Sequence, residues 1–155
     1  MKTISLQTIS YVIKVFNNMA VTNNKTPNQI SDQMRKIKSK NTKIELLIRK
    51  LVYKMGYRYR LYVAELPGKP DIVFKTRKKV IFIHGCFWHQ HENCVISKLP
   101  KSNQEYWLPK LKRNKERDLE NQEKLKKLGW SFLNIWECQI KDITTVEKTI
   151  RSFLS

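Results

Sequence analysis

The sequence predicts an α/β domain with helices flanking a small mixed β-sheet. Three observations carry this expectation. Apolar residues recur at helical spacing in some segments and alternate or run together in others. The segments come in the order helix, strand, strand, helix, strand, helix. A helix separates the second strand from the third, which permits a parallel crossover there. With 155 residues and 41% hydrophobic content, the chain is about the size of one compact domain with a real core.

Residues 1–30 show little periodicity and include the polar run "NNKTPNQ", so they read as a flexible arm ahead of a single domain at 31–155. Met19 offers a second start. Next, "SDQMRKIKSKN" alternates basic and polar residues, and "TKIELLIRKLVYKMGY" places Ile44, Leu47, Ile48, Leu51, Val52 and Met55 on one helical stripe. Gly56 ends that helix. After the turn-rich "ELPGKP", the runs "DIVF" and "KVIFIH" flank the polar "KTRKK" and form an antiparallel hairpin. A helix over 106–128 stops at Gly129, "WSFLNIW" alternates as a third strand, and a last helix covers 145–154. No repeat or low-complexity tract interrupts the chain.

Thirty-one Lys and Arg against thirteen Asp and Glu give a formal net charge of +18, a field that attracts polyanions with steep salt dependence. Nucleic acid is therefore the leading partner. An anionic membrane surface would call for a basic amphipathic helix with one large apolar face, and none stands out. No run reaches the roughly 18 apolar residues of a membrane span, and "MKTISLQTISYVIKV" is broken by polar residues and lacks a small-residue cleavage site. A cytoplasmic protein is expected. Three cysteines without a secretion signal suit a reducing compartment and metal ligation better than disulfides.

The stretch "IFIHGCFWHQHENC" holds all three histidines and two of the three cysteines. Closing the hairpin symmetrically on Arg77 and Lys78 sets Asp71 opposite His84, roughly 5 Å apart on one face. An acid and an imidazole at a strand end can hold a hydrated metal, although ordinary strand-end polarity would explain either residue alone. The parallel crossover brings Cys138 to the sheet edge that carries Cys86. With His91 and Cys94 from the intervening loop, the donors make the Cys₃His set that tetrahedral zinc prefers. Four protein ligands leave no open position, so such a zinc is structural, although the spacing is not that of a standard finger. His89 is left for proton transfer. Glu45 closes a capping box begun at Thr42, and spacing alone favours that role. Phe87, Trp88 and Trp107 would ordinarily be core aromatics. Their setting beside Gly85 and metal ligands argues instead for a protruding loop able to wedge between bases.

Together "ELPGKPDIVF", "VIFIHGCFWHQHENC", "YWLPKLKRNKERD" and "LGWSFLNIWEC" resemble the very-short-patch (Vsr) mismatch-repair endonucleases, from about Ser31 to the last strand. The resemblance implies a restriction-endonuclease-like mixed sheet flanked by helices, with a structural zinc on Cys86, His91, Cys94 and Cys138. It implies Mg²⁺-dependent nicking of one strand of double-stranded DNA 5′ to the thymine of a T:G mismatch left by 5-methylcytosine deamination. Asp71 then anchors magnesium, two ions being expected, with the Ile83 backbone carbonyl as a further ligand. His84 and His89 assist hydrolysis, Glu45 becomes the helix glutamate of the site, and Phe87, Trp88 and Trp107 are the DNA-wedging aromatics. The implied protein is a monomer acting on nucleoid DNA, in company with mismatch-repair proteins and a cytosine-5 methyltransferase. Two departures stand out: Ile83 replaces a threonine, and the segment between His91 and Cys94 is one residue longer than in a well-known member. Composition alone also allows a non-catalytic, zinc-stabilised nucleic-acid-binding protein, or a general nickase on the same fold.

Overall fold

The computed structural model describes residues 40–101 and 103–155. The expected arm at 1–30, the alternative start at Met19 and most of the basic stretch before the first helix lie outside the described residues. Among the described residues, three helices, α1 (Lys43–Lys54), α2 (Gln104–Lys127) and α3 (Ile143–Leu154), accompany three strands, β1 (Ile72–Phe74), β2 (Lys79–His84) and β3 (Ser131–Trp136). The order matches the expectation. Among the described residues, no helix is long and apolar enough to cross a membrane.

The sheet runs β1-β2-β3, with β1 antiparallel and β3 parallel to β2. One face buries Ile72, Phe74, Ile81 and Ile135 against Ile48 and Val52 of α1 and Val146, Ile150 and Leu154 of α3. Val73, Val80 and Phe82 pack on the other face against Leu125 of α2 and against Leu66, from the segment before β1. Both faces are covered, which is why "DIVF" and "KVIFIH" read as continuous apolar runs rather than clean alternations.

The hairpin register differs from the expected one. Ile72 pairs with Ile81, Val73 with Val80 and Phe74 with Lys79, so continuing the ladder sets Asp71 opposite Phe82 rather than His84. A two-residue turn on Arg77 and Lys78 would need positive φ at Arg77, and in one of its two forms at Lys78 as well, and neither is Gly or Asn. The chain instead makes a 3₁₀ turn over Lys75–Arg77 and spends one left-handed conformation, at Lys78 (φ 49°). A slip of two residues preserves the face each side chain occupies. Asp71 and His84 therefore stay on the same side, one step out of direct opposition.

The long helix α2 returns to β3 through Gly129, whose φ of +74° closes the turn. It therefore starts near the edge where β2 and β3 end, and α3 leaves β3 at that same edge through a 3₁₀ turn over Glu137–Asp142. Parallel strands and their crossovers commonly gather a site at this edge.

Candidate active site and metal centre

Asp71 sits where β1 runs out. Val73 exchanges both of its backbone bonds, at 2.9 Å, with Arg60, so the hydrogen-bonded pairs between β1 and β2 fall at Ile72/Ile81 and Phe74/Lys79 and would next fall at Pro70/Ile83. Proline has no N–H. The Ile83 carbonyl therefore gets no donor from the ladder, while the Ile83 N–H donates to Asp71 Oδ2 at 2.7 Å. A carboxylate and an unclaimed carbonyl thus share one side of β2, a pair of hard oxygens suited to a hard cation. Burial, first, pushes the Asp71 carboxyl up to about 6; the Ile83 N–H opposes this, Glu45 adds to it, and Arg49 and His89 oppose it.

His84, the last residue of β2, is buried, and its imidazole is driven down to about 4, first by burial and next by His89. Its Nδ1 has no partner among the described residues. His89 lies face to face on His84, with ring centroids 4.0 Å apart and planes 12° off parallel. Its Nδ1 bonds Asp118 Oδ2 of α2. Ligand atoms of His84, His89 and Asp118 fall within 4.8 Å of one another, but one ion cannot lie in the planes of two stacked imidazoles. As placed, the trio suits proton handling better than metal ligation. Asp118 was not singled out from the sequence, where it ends the basic run "KRNKERD" and looks like part of a solvated helix face.

Glu45 forms the capping box that its spacing suggests. Its Oε1 accepts from Thr42 Oγ1 (2.9 Å) and the Thr42 N–H (3.4 Å), and Oε2 accepts from the Asn41 N–H (3.0 Å) and Arg49 Nη2 (2.7 Å). With four donors in place the carboxylate is engaged at both oxygens. No bond joins it to Asp71, His84 or His89 among the described residues, and its influence on Asp71 is electrostatic.

Behind this group the four expected zinc ligands converge: donor atoms of Cys86, His91, Cys94 and Cys138 lie within 4.8 Å of one another, and all three cysteines are free. His91 Nδ1 is 3.7 Å from Cys86 Sγ and 3.2 Å from Cys138 Sγ. A tetrahedral zinc-like ion, with Zn–S near 2.3 Å and Zn–N near 2.0 Å, spaces sulfur and nitrogen about 3.5 Å apart. The donor set fits such an ion. Burial, before any other cause, raises the Cys86 and Cys138 thiols, so gathering thiolates here needs a compensating cation. The loop is shaped by backbone bonds from the His89 N–H to Gly85 O and from the His91 N–H to Cys86 O. Glu137 anchors it to β3 by accepting the Cys86 N–H at 3.2 Å.

Phe87, Trp88 and Trp107 touch one another at centroid distances of 5.2, 5.4 and 5.9 Å. They belong to neither core cluster. Tyr106, exposed and edge-on to Trp107 at 5.0 Å, extends the patch, and Lys110 Nζ sits within 6 Å of the Trp88, Tyr106 and Trp107 rings. Asn114 ties the loop to α2 by donating to the Trp88 carbonyl at 3.2 Å.

A carboxylate beside a free carbonyl and a paired imidazole serve hydrolysis, while a cationic aromatic rim suits stacked bases and phosphates; the class they define is a nuclease. The family model for the DNA mismatch endonuclease Vsr matches residues 22–95. The type II nicking enzyme V.XorIIP of Xanthomonas oryzae pv. oryzae is 44% identical over 121 residues, covering 78% of this chain and 88% of that protein. V.NmeAIP of Neisseria meningitidis is 45% identical over 117 residues, 76% of this chain and 83% of the relative. The DNA mismatch endonuclease Vsr of Escherichia coli K12 is 41% identical over 111 residues, 72% and 70% respectively. The chain belongs to the Vsr family of DNA mismatch endonucleases.

Proposed function

We propose that this protein nicks one strand of duplex DNA 5′ to the thymine of a T:G mismatch, the product of 5-methylcytosine deamination, by Mg²⁺-dependent hydrolysis on a restriction-endonuclease-like sheet. The observation that carries the reading is the pairing of the Asp71 carboxylate with an Ile83 carbonyl that Pro70 leaves without a donor. Family membership supports the substrate class.

Asp71 and the Ile83 carbonyl would hold Mg²⁺, two ions in all when substrate phosphate oxygens join, and the metal supplies neutralisation of developing charge and a more acidic water. His89 has Nδ1 fixed by Asp118, so Nε2 is the ring nitrogen left to move a proton. His84, held neutral near pH 7 by its lowered pKa, backs the plane of His89 by stacking. Glu45 fixes the start of α1 and keeps a second negative charge within reach of Asp71. Cys86, His91, Cys94 and Cys138 would hold a structural Zn²⁺ with no open position. Phe87, Trp88 and Trp107 insert beside the mismatch, where a wobble pair unstacks at lower cost than a matched one. The protein works as a cytoplasmic monomer on nucleoid DNA, following a cytosine-5 methyltransferase and alongside mismatch-repair proteins.

Purified protein with Mg²⁺ is expected to nick an end-labelled T:G duplex on the thymine strand and to leave matched G:C and A:T duplexes intact, while Asp71→Ala makes no product. Binding without any nick, or nicking by Asp71→Ala at the wild-type rate, would sink the proposal.

A further inference from the structure

Four rings form a continuous column across the site. His89 stacks on His84, His84 meets Trp136 nearly at right angles (5.1 Å, 82°), and Trp136 stacks on His91 at 4.2 Å and 14°. Among the described residues Trp136 is the one ring in contact with both a histidine of the Asp71 edge and a histidine of the Cys/His pocket. Its own placement is fixed: it ends β3, pairs with His84 in the parallel ladder, and donates its backbone N–H to Gln139 Oε1 at 2.9 Å.

We propose that Trp136 is a positioning residue that holds the ring planes of His84 and, through it, His89, and so ties their orientation to the Cys/His centre. The inference rests on the reading of the histidines given above. The terminal torsion of a histidine is a broad, soft one, and hydrogen bonds usually set it. His84 has none at Nδ1, which leaves ring packing to define its plane. That packing comes from His89, stacked at 4.0 Å and itself secured by Asp118, from Trp136, nearly perpendicular at 5.1 Å, and from the more distant Phe82, tilted at 5.8 Å. Removing the indole frees His84 to rotate, and the stacked His89 loses the surface that opposes its bond to Asp118. The indole face on His91 means that a shift of the metal loop reaches the same column.

The test combines Trp136→Leu and Trp136→Phe with two measurements: single-turnover nicking of a T:G duplex, and the ring-proton resonances of His89 in histidine-labelled protein. His89 is not in ring contact with Trp136, so a purely local packing role would leave its resonances still. Trp136→Leu is expected to nick about 100-fold more slowly, the cost typical of a misplaced reacting group, with unchanged affinity for the duplex when Mg²⁺ is withheld and with shifted His89 resonances. Trp136→Phe, which restores a ring, is expected to lose only about tenfold and to shift His89 less. Wild-type nicking in Trp136→Leu, equal losses in the two variants, or unmoved His89 resonances overturn the proposal. Should Trp136→Leu not fold, Trp136→Phe decides: a wild-type rate with unmoved His89 resonances overturns it, and a reduced rate with shifted resonances supports it. His84→Ala separates this inference from the reading beneath it. Full activity in His84→Ala means that the histidine assignment itself is wrong, whereas lost activity there beside a wild-type rate in Trp136→Leu removes only the Trp136 link.

Discussion

The two polar clusters at this sheet edge lie within three ring contacts of each other and are built on opposite plans. Cys86, His91, Cys94 and Cys138 aim soft donors at one point, and their spacing fits a closed tetrahedron. In the other cluster His84, His89 and Asp118 also bring ligand atoms within 4.8 Å of one another, but with Asp71 and Ile83 they do not make one closed donor shell. A hard carboxylate and carbonyl face one way, and the imidazoles stack so that no single ion can use both. A cation held by the first cluster would use all four donors and leave none for substrate. In the second, the buried His84 Nδ1 has no partner among the described residues, and on the proposed function that incompleteness is what would admit phosphate, metal and water. The difference teaches that closure marks a structural centre and incompleteness a reactive one.

The comparison breaks most readily at the closed centre. Cys138→Ser is expected to cost at least about 4 kcal/mol of stability, because losing one of four ligands forfeits much of the binding energy that holds the loop folded. Urea unfolding monitored by circular dichroism, with and without a strong chelator, checks this. If chelation destabilises wild type no more than it does Cys138→Ser, the pocket holds no structural ion. The open cluster should respond in the other currency. Asp118→Asn keeps the size of the side chain but weakens its hold on His89, so nicking is expected to fall about 100-fold, roughly 3 kcal/mol at the barrier, with the urea midpoint nearly unmoved. A large drop in stability with a normal rate per folded molecule would reverse the assignment of roles.

What the sequence disclosed follows the same division. Convergence of Cys138 on Cys86 was legible because the helix between β2 and β3 calls for a parallel crossover, and parallel strands end at the same edge. The capping box at Thr42 and Glu45 was legible from its spacing. The hairpin register was not, since it turns on Lys78 adopting a left-handed backbone that no Gly or Asn announces. Asp118 was hidden for another reason: an acid in a run of basic helix residues normally pairs within its own helix, and only the fold turns it toward His89. Arg49 was hidden likewise, since a Glu/Arg pair four residues apart is usually exposed and here is buried, with Asn41 and Tyr62 accepting further bonds from the guanidinium. Helix α2 begins at Gln104 and α3 at Ile143, each two residues before the start expected from the sequence. Asp142, which caps α3 by accepting the Thr145 N–H at 3.0 Å, is the signal for the second.

The smallest expected effect bears on the open cluster alone. Asp71 has a folded-state pKa of about 6 against an ordinary 3.8. Its contribution to stability is therefore fully present below 3.8 and is lost as pH rises through about 6. His84 is shifted the other way, to about 4 from 6.5, so its contribution is present above 6.5 and is lost as pH falls through about 4. Each shift corresponds to about 3 kcal/mol, and the two slopes run in opposite directions over nearly the same window. With Mg²⁺ withheld, these groups together should leave stability between pH 4 and 6.5 flat to within about 1 kcal/mol. Asp71→Asn removes one slope. The variant should match wild type near pH 4 and gain on it steadily toward pH 6.5, while its nicking is abolished. Both proteins share whatever the Cys/His centre contributes, so the difference between their urea-unfolding curves isolates Asp71. A difference that does not change with pH would mean that the Asp71 carboxylate ionises without penalty, and that the fold does not hold it under strain awaiting a cation.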